Sequence, residues 1–151
     1  MPKKPYPPFI LLAGLVLIAI TAFLDWPELL LFGFGDTYML GGMAVMLLGM
    51  MAGVSVSRQF RAYETSIVPD HQPATLIKDG LFAYSRNPIY LSMVFILIGA
   101  TILSGNGVGL SIAAGFAIWI NWRWIPLEEE NMRAQFGAEF EDYCQCVRRW
   151  I

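Results

Sequence analysis

The segment YSRNPIY, from Tyr84 to Tyr90, places an arginine, an asparagine and a proline directly before a long uncharged run. Asparagine is a favoured helix N-cap and proline suits the first helical position, so a helix is predicted to begin at Asn87 and Pro88. A helix N-terminus presents unpaired N–H groups and a partial positive charge. Arg86 adds a forked cationic donor, and together these groups could bind a carboxylate or a phosphate. The alternative is a capped helix whose arginine contacts lipid headgroups.

A second segment, PLEEENMRAQFG from Pro126 to Gly137, carries three consecutive glutamates. Acidic residues favour the first turn of a helix, which is the purely structural interpretation. The cluster also follows an apolar run, where anionic headgroups disfavour negative charge. A cation would resolve this conflict, and Arg123, Arg86 or a charged ligand could supply it. We therefore predict a pocket with donors for an anion on one wall and carboxylates on the other, which suits a zwitterionic, nucleotide-like ligand.

The composition of the chain indicates an integral membrane protein that forms one domain. Of its 151 residues, 56% are hydrophobic and 15% are charged, and the mean hydropathy is +0.53. Soluble domains are nearer to a quarter charged. The formal net charge of −2 offers no basic surface, so no nucleic-acid partner is expected. Cys144 and Cys146 form neither a zinc pattern nor a disulfide framework, and no metal site is predicted.

The uncharged runs predict an all-α integral membrane fold with about four transmembrane helices. Two N-terminal spans are expected within residues 1–57, followed by a cytoplasmic loop over residues 58–86. Residues 87–125 are expected to form a helical hairpin that turns at SGNG, from Ser104 to Gly107. The first apolar run lacks the cleavage site of a signal peptide, so it is interpreted as a retained span.

The C-terminal segment, residues 126–151, is expected to be an amphipathic cytoplasmic tail. Pro126 is predicted to end the membrane helix that precedes it, and Gly137 is predicted to interrupt the tail helix. Apolar residues of the tail recur at spacings of three or four and form one stripe: Met132, Phe136, Phe140, Tyr143 and Val147.

Basic residues predict how the spans are oriented. Lys3 and Lys4, the loop over residues 58–86 and the segment from Arg123 onward all fall on one side of a four-span arrangement. The positive-inside rule assigns that side to the cytoplasm. Both termini are then cytoplasmic, as in a multi-pass protein of a prokaryotic inner membrane. His71 is the only histidine, and it is interpreted as an ordinary loop residue.

Two segments in this order resemble the isoprenylcysteine carboxyl methyltransferase family and the related phospholipid N-methyltransferases. They are LIKDGLFAYSRNPIYLS and, about 40 residues later, EEENMRAQFGAEFEDYCQCVRRWI, so the resemblance covers Thr75 to Ile151. It implies an S-adenosylmethionine-dependent methyltransferase. The acceptor would be lipophilic: either the carboxylate of a prenylcysteine-like group or a lipid amine. It would be methylated at the cytoplasmic membrane face, where membrane lipids contact the protein.

The resemblance also implies the residues of the cofactor site. The family's Arg-x-Pro-x-Tyr core falls on Arg86, Pro88 and Tyr90, and its Glu-Glu pair falls on Glu128 and Glu129. The expected cofactor-binding residues are Gly80, Tyr84, Arg86, Asn87, Pro88, Tyr90, Glu128 and Glu129. The expected catalytic residues are Arg86, Tyr90 and Glu129.

The sequence departs from the family pattern at three positions: Asn87 replaces a usual histidine, Phe82 a common tyrosine and Ser92 a common glycine. Asparagine does not titrate near neutral pH, so no acid–base role is assigned to Asn87. A carboxylate acceptor needs no general base, whereas an amine does, and Tyr90 or a glutamate could serve.

Several residues have two open interpretations. The glycines of the second span allow close helix packing or leave room for a lipid chain: Gly41, Gly42, Gly49 and Gly53. Arg148 and Arg149 are interpreted as headgroup anchors, or as partners of an acidic acceptor, because the tail folds back toward the pocket in this family.

Two other functions compete with methyl transfer. Membrane reductases of the sterol-reductase type, which depend on NAD(P)H, have a similar Arg-x-Pro and a Glu-rich C-terminal region, although they are longer and have more spans. A non-enzymatic four-span module could instead bind a lipid headgroup through Arg86. Binding of S-adenosylmethionine, tested against NADPH, discriminates among the three.

Overall fold

The computed structural model describes residues 6–24, 36–63 and 75–151. Within these ranges the secondary structure is helical and contains no β-strand, which confirms the all-α class for the described residues. The helices are α1 (Pro7–Phe23), α2 (Asp36–Ala62), a short 3₁₀ helix (Gly80–Ala83), α3 (Pro88–Ser104), α4 (Val108–Trp119), a π-helical segment (Ile120–Trp124), α5 (Ile125–Phe136) and α6 (Ala138–Cys146). Lys3, Lys4, the loop after α1 and His71 lie outside the described residues.

Two of these helices are long and apolar enough to cross a membrane. They are Thr37–Ala62 and the continuous helix Val108–Phe136. Helices α1 and α3 are also apolar, but each has 17 residues. At about 1.5 Å per residue they are somewhat shorter than a hydrocarbon core of about 30 Å. The four-span arrangement and its orientation stay predictions.

Pro126 does not end the helix that precedes it, so that prediction is wrong. Helix α4 continues through the π-helical segment into α5, and the Ile125 N–H bonds to the Ile120 carbonyl in the i→i−5 pattern. This register change places Pro126 in the first turn of α5, where a proline without an N–H is tolerated. Glu128 and Glu129 therefore project from the same continuous helix as the aromatic residues before them.

Helix α2 packs closely against α3 through its glycines. A Cβ atom at Gly42 would lie 3.1 Å from the Gly99 carbonyl oxygen, and one at Gly49 would lie 2.8 Å from the Ser92 carbonyl oxygen. Larger residues would force the two backbones apart. Close packing is thus confirmed for Gly42 and Gly49, whereas a Cβ atom at Gly41 would meet none of the residues that the structure describes within 4 Å.

The apolar stripe of the tail is confirmed, and so is its interruption at Gly137. Gly137 has φ +51° and separates α5 from α6. Phe140 and Tyr143 are buried with Leu76, a residue that precedes the 3₁₀ helix. The tail therefore folds against the segment that leads into α3, and this brings the two predicted motifs toward each other.

Candidate functional site

Glu129 lies at the centre of a buried ion-pair cluster. Its side chain is 7% exposed, and its Oε1 lies 3.0 Å from Arg86 Nη2. Arg149 donates to both carboxylate oxygens, from Nε to Oε1 at 3.1 Å and from Nη2 to Oε2 at 2.7 Å. Such a forked pair is among the stronger ionic contacts in proteins. One carboxylate thus joins the segment before α3, helix α5 and the C-terminal segment.

Arg86 has hydrogen-bonding capacity that the described residues do not satisfy. Its side chain is 13% exposed, and Nη1 makes only a long contact of 3.5 Å with the Cys144 carbonyl oxygen. Its Nε atom is buried and has no hydrogen-bond partner among the described residues. An unsatisfied buried donor is costly. Arg133 Nη2 also lies 4.0 Å from Glu129 Oε2, and Arg133 pairs with Glu141 as well. The three arginines and the two glutamates together carry a formal charge of +1, so the cluster has room for a further anionic acceptor.

The C-terminal segment is tied to the Arg86–Asn87 step by backbone and side-chain hydrogen bonds. The Arg86 N–H donates to the Arg148 carbonyl oxygen at 3.0 Å. The Asn87 side-chain amide donates to the Arg149 carbonyl oxygen at 3.0 Å, and the Ser85 hydroxyl approaches the same oxygen at 3.4 Å. These contacts place the Arg149 guanidinium against Glu129 rather than among lipid headgroups. The Arg148 side chain, in contrast, contacts the Ile151 carbonyl oxygen at 3.5 Å and is exposed.

Helix α3 begins at Pro88 as predicted, but its N-terminus differs from the expected anion site. Asn87 occupies the N-cap position without a side-chain cap hydrogen bond. Its carbonyl oxygen accepts the N–H groups of Tyr90 and Leu91, each at 3.1 Å. Pro88 has no N–H to donate. The helix end therefore presents few unpaired donors, and the donors for an anion come from Arg86 and Arg149.

A second polar cluster lies beside the first and is centred on Glu128. The buried Tyr90 hydroxyl donates to Glu128 Oε1 at 2.6 Å, and the Trp124 Nε1–H donates to the same oxygen at 3.0 Å. Tyr90 is 4% exposed and Glu128 is half-buried. Successive residues of a helix point about 100° apart. Glu128 therefore faces Tyr90 on α3, whereas Glu129 faces the arginines.

The π-helical segment connects these clusters to the C-terminal segment. The Asn121 side-chain oxygen accepts from Trp150 Nε1 at 3.0 Å and lies 3.4 Å from Arg149 Nη1. Trp124, which contacts Glu128, belongs to the same segment. Single π-helical turns inside α-helices occur frequently at functional sites.

Not every residue predicted for the site reaches these clusters. Gly80 begins the 3₁₀ helix at φ +56°, and a Cβ atom there would lie 2.6 Å from the Gln59 side chain, so its role is a tight turn against α2. Tyr84 is 76% exposed and makes none of the polar contacts described for Glu128 and Glu129. The structure thus brings together Arg86, Asn87, Tyr90, Glu128 and Glu129. Their roles in binding and catalysis stay predictions.

Sequence reasoning missed three members of the clusters: Arg149, Asn121 and Trp124. Arg149 is 20 residues from Glu129, and no helical periodicity relates the two. The signal in the sequence that pointed toward Arg149 was the family resemblance, which implies that the C-terminal tail folds back toward the pocket. Asn121 lies inside the uncharged run that predicts membrane helices. Trp124 follows that run after Arg123, and a tryptophan at such a position is typical of the aromatic belt at a membrane surface rather than of a polar cluster.

Titratable groups close to the two clusters have shifted pKa values. Asp79 accepts hydrogen bonds from the Tyr63 hydroxyl and from Gln59 Nε2, both at 2.8 Å, and the Tyr63 bond lowers the pKa of Asp79. Burial raises the pKa of the Tyr143 phenol, whose hydroxyl donates to the Phe82 carbonyl oxygen at 2.7 Å. Burial also raises the pKa of the Cys144 thiol. These contacts hold the 3₁₀ helix between α2 and α6.

Comparison with known proteins agrees with the resemblance noted in the sequence. Residues 37–139 match the phospholipid methyltransferase family, a range that includes Arg86 and Glu129 but ends before Arg149. An uncharacterized protein of Haemophilus influenzae is 36% identical over 63 residues, which is its whole length and 42% of this chain. No solved structure matches the chain. Since the family match covers more than half of the sequence, the chain belongs to the phospholipid methyltransferase family.

Proposed function

We propose that the protein transfers a methyl group from S-adenosylmethionine to a lipophilic acceptor at the cytoplasmic face of the membrane. The observation that carries this proposal is the buried Arg86–Glu129–Arg149 cluster in a chain of the phospholipid methyltransferase family. A cluster of this kind costs stability when it only pairs with itself, because its charges are withdrawn from water. Binding a charged ligand gives such a cluster a function.

The residues fit the charge pattern of S-adenosylmethionine. Its amino-acid end has a carboxylate and an ammonium group, and Arg86 Nε offers a buried donor to the carboxylate without loss of an existing hydrogen bond. Arg149 adds a second guanidinium beside it. Glu129 and Glu128 are the carboxylates available to the ammonium group or to the ribose hydroxyls. The ligand carboxylate would offset the +1 charge of the cluster.

The chemistry that the bound cofactor supplies is an electrophilic methyl group on a positively charged sulfur. Transfer of that methyl group would leave the demethylated cofactor, and the main tasks of the protein would be to align the acceptor and to exclude water. An amine acceptor must also lose a proton. We assign the acceptance of this proton to Glu128, and its hydrogen bond from the Tyr90 hydroxyl supports that assignment. A carboxylate acceptor would need no such base.

The description of the matched family favours an amine of a phospholipid headgroup over a prenylcysteine carboxylate as the acceptor. Glu128 supports this preference, because a half-buried carboxylate stabilises a cationic amine and repels an anionic acceptor. We therefore take a lipid amine as the leading acceptor and the carboxylate as the alternative.

Cofactor binding is tested by titration calorimetry of the protein in detergent with S-adenosylhomocysteine, the demethylated product. We expect saturable binding that NADPH does not displace. Arg86→Gln should weaken it about 10–100-fold, since a charge-assisted hydrogen bond contributes about 1.5–3 kcal/mol. Arg86→Lys retains the charge without the fork and should fall in between. Lys78→Gln is the matched control, because Lys78 pairs with Glu139 on the surface.

Thermal unfolding of each variant separates loss of binding from loss of fold. A folded Arg86→Gln protein with unchanged affinity would contradict the proposed cofactor site. Displacement by NADPH would instead favour a reductase, and binding of neither compound would favour a module that recognises lipid headgroups. The acceptor is then identified by incubating lipid extracts with a radiolabelled methyl donor and separating the labelled lipids.

A further inference from the structure

An apolar groove runs between α1 and α4, and none of the described residues that line it is charged. Its volume is about 170 Å³. The residues that define it are Ile10, Gly14 and Leu17 of α1 and Ile112, Gly115 and Trp119 of α4. A Cβ atom at Gly14 would lie 3.1 Å from the Leu97 side chain, so Gly14 forms the floor. A Cβ atom at Gly115 would meet no described residue within 4 Å, so Gly115 leaves the wall open among the described helices.

One end of this groove adjoins the Glu128 cluster. Trp119 lies at that end and stacks on Trp124, with ring centroids 6.0 Å apart and an interplanar angle of 27°. Trp124 donates to Glu128 at 3.0 Å, and Glu128 also accepts from Tyr90. The apolar groove therefore ends one aromatic ring away from a half-buried carboxylate. A molecule with a hydrocarbon chain and a cationic head matches both parts.

We propose that the α1/α4 groove binds one acyl chain of an amine-bearing phospholipid and thereby places the headgroup amine beside Glu128. This inference rests on the proposed function and specifies where its acceptor binds. From Ile10 to Leu17 the groove wall is about 10 Å long at a helical rise of about 1.5 Å per residue. That length holds the part of a chain nearest to the headgroup. Gly42 and Gly49 of α2 do not compete for this role, because α3 fills the space beside them.

Gly115→Leu tests the groove because it fills the space without a clash at the new Cβ atom. Gly41→Leu is the matched control, since Gly41 also lies in an apolar helix with nothing within 4 Å of a Cβ atom, but it does not line the groove. Neither residue belongs to the charged clusters. Leucine is a better helix former than glycine, so both variants should fold. Gly115→Ala fills less of the groove and should therefore reduce acyl-chain binding less than Gly115→Leu does.

The first readout is photolabelling in lipid nanodiscs by a phosphatidylethanolamine with a diazirine in one acyl chain. We expect labelled peptides from α1 and α4 in the wild-type protein and in Gly41→Leu. We expect at least fivefold less labelling of these peptides in Gly115→Leu. Equal labelling in the two variants, or label spread evenly over the exposed face of α2, would show contact with bulk lipid and overturn the proposal.

The second readout is the KM for two methyl acceptors. Gly115→Leu should raise the KM for dioleoyl-phosphatidylethanolamine about tenfold or more, because a mismatch of one methylene in an apolar enzyme pocket changes discrimination about 10–200-fold. The KM for glycerophosphoethanolamine, which has no acyl chain, should not change, and neither should the affinity for S-adenosylhomocysteine. An equal rise in KM for both acceptors would overturn the proposal that the groove binds the acyl chain. If wild-type protein bound no cofactor, the proposed function would fail while the labelling result stood independently.

Discussion

Replacing Glu129 with glutamine should strongly destabilise the protein, because it removes the anion that pairs with Arg86 and Arg149 and, at 4.0 Å, with Arg133. Glu129 is 7% exposed, Arg86 is 13% exposed and Arg149 is 34% exposed. Removing one partner of a buried ion pair costs about 3–5 kcal/mol, since the remaining charge stays buried without compensation. Because Arg149 is partly exposed, water screens its unpaired charge, so we expect Glu129→Gln to lower the free energy of unfolding by about 3 kcal/mol.

Thermal unfolding in detergent, followed by tryptophan fluorescence, measures this effect. For a chain of this length, about 3 kcal/mol corresponds to a fall in Tm of about 6–12 °C. Glu130→Gln is the matched control, because Glu130 is the next residue of α5 and is exposed. Its Tm should stay within about 2 °C of the wild-type value, since surface substitutions rarely exceed about 0.5 kcal/mol.

A double-mutant cycle tests whether the ion pair itself is responsible. Arg149→Gln removes the partner that contacts both Glu129 oxygens. If the two residues stabilise the fold through each other, the double variant should lose less stability than the two single variants combined, by at least about 1 kcal/mol. The reasoning is refuted if Glu129→Gln behaves like Glu130→Gln, or if the effects of Glu129→Gln and Arg149→Gln simply add.

Three further predictions follow from individual contacts. Tyr90→Phe removes the 2.6 Å hydrogen bond to Glu128 and should slow methylation of an amine acceptor, while the Kd for S-adenosylhomocysteine stays within about twofold. An unchanged methylation rate would exclude a role of this hydrogen bond in proton transfer. Gly49→Ala should cost about 1–3 kcal/mol in thermal unfolding because its Cβ atom would meet α3 backbone, and Gly41→Ala should cost nothing; equal effects would contradict the close helix contact. At pH 8, maleimide should label exposed Cys146 at least fivefold faster than Cys144, because burial raises the pKa of Cys144 and leaves less thiolate. The difference between the two labelling rates should narrow as pH rises, and equal rates in the two single-cysteine variants at pH 8 would contradict the prediction.

Local features of the sequence were sufficient to predict where several elements begin and end. Pro88 lacks an N–H and has a preset φ, so it starts α3 wherever the rest of the chain lies. Gly137 adopts a positive φ that other residues resist, and it breaks the tail helix. The spacing from Met132 to Val147 predicted an apolar stripe, which packs as one cluster. These outcomes depend on interactions among near neighbours.

Helix continuity at Pro126 required more than local information. A proline inside a helical pattern usually ends the helix, because it lacks an N–H and its ring meets the preceding turn. Here the π-helical segment changes the hydrogen-bond register just before it, and the buried contacts of Ile120, Trp124 and Ile125 hold that register. The tertiary packing therefore decided that Glu128 and Glu129 extend a helix that is long and apolar enough to cross a membrane.

The sequence by itself determined the helical class, the apolar character of the spans and the two motifs that carry charges of opposite sign. Only the tertiary structure decided that Arg149 joins Arg86 on Glu129, that Asn87 binds the C-terminal segment, and that Gly41 faces outward while Gly49 meets α3. The reason is physical: residue type and spacing set the conformations of neighbouring residues, whereas ion pairs and close helix contacts depend on which distant segments are packed together.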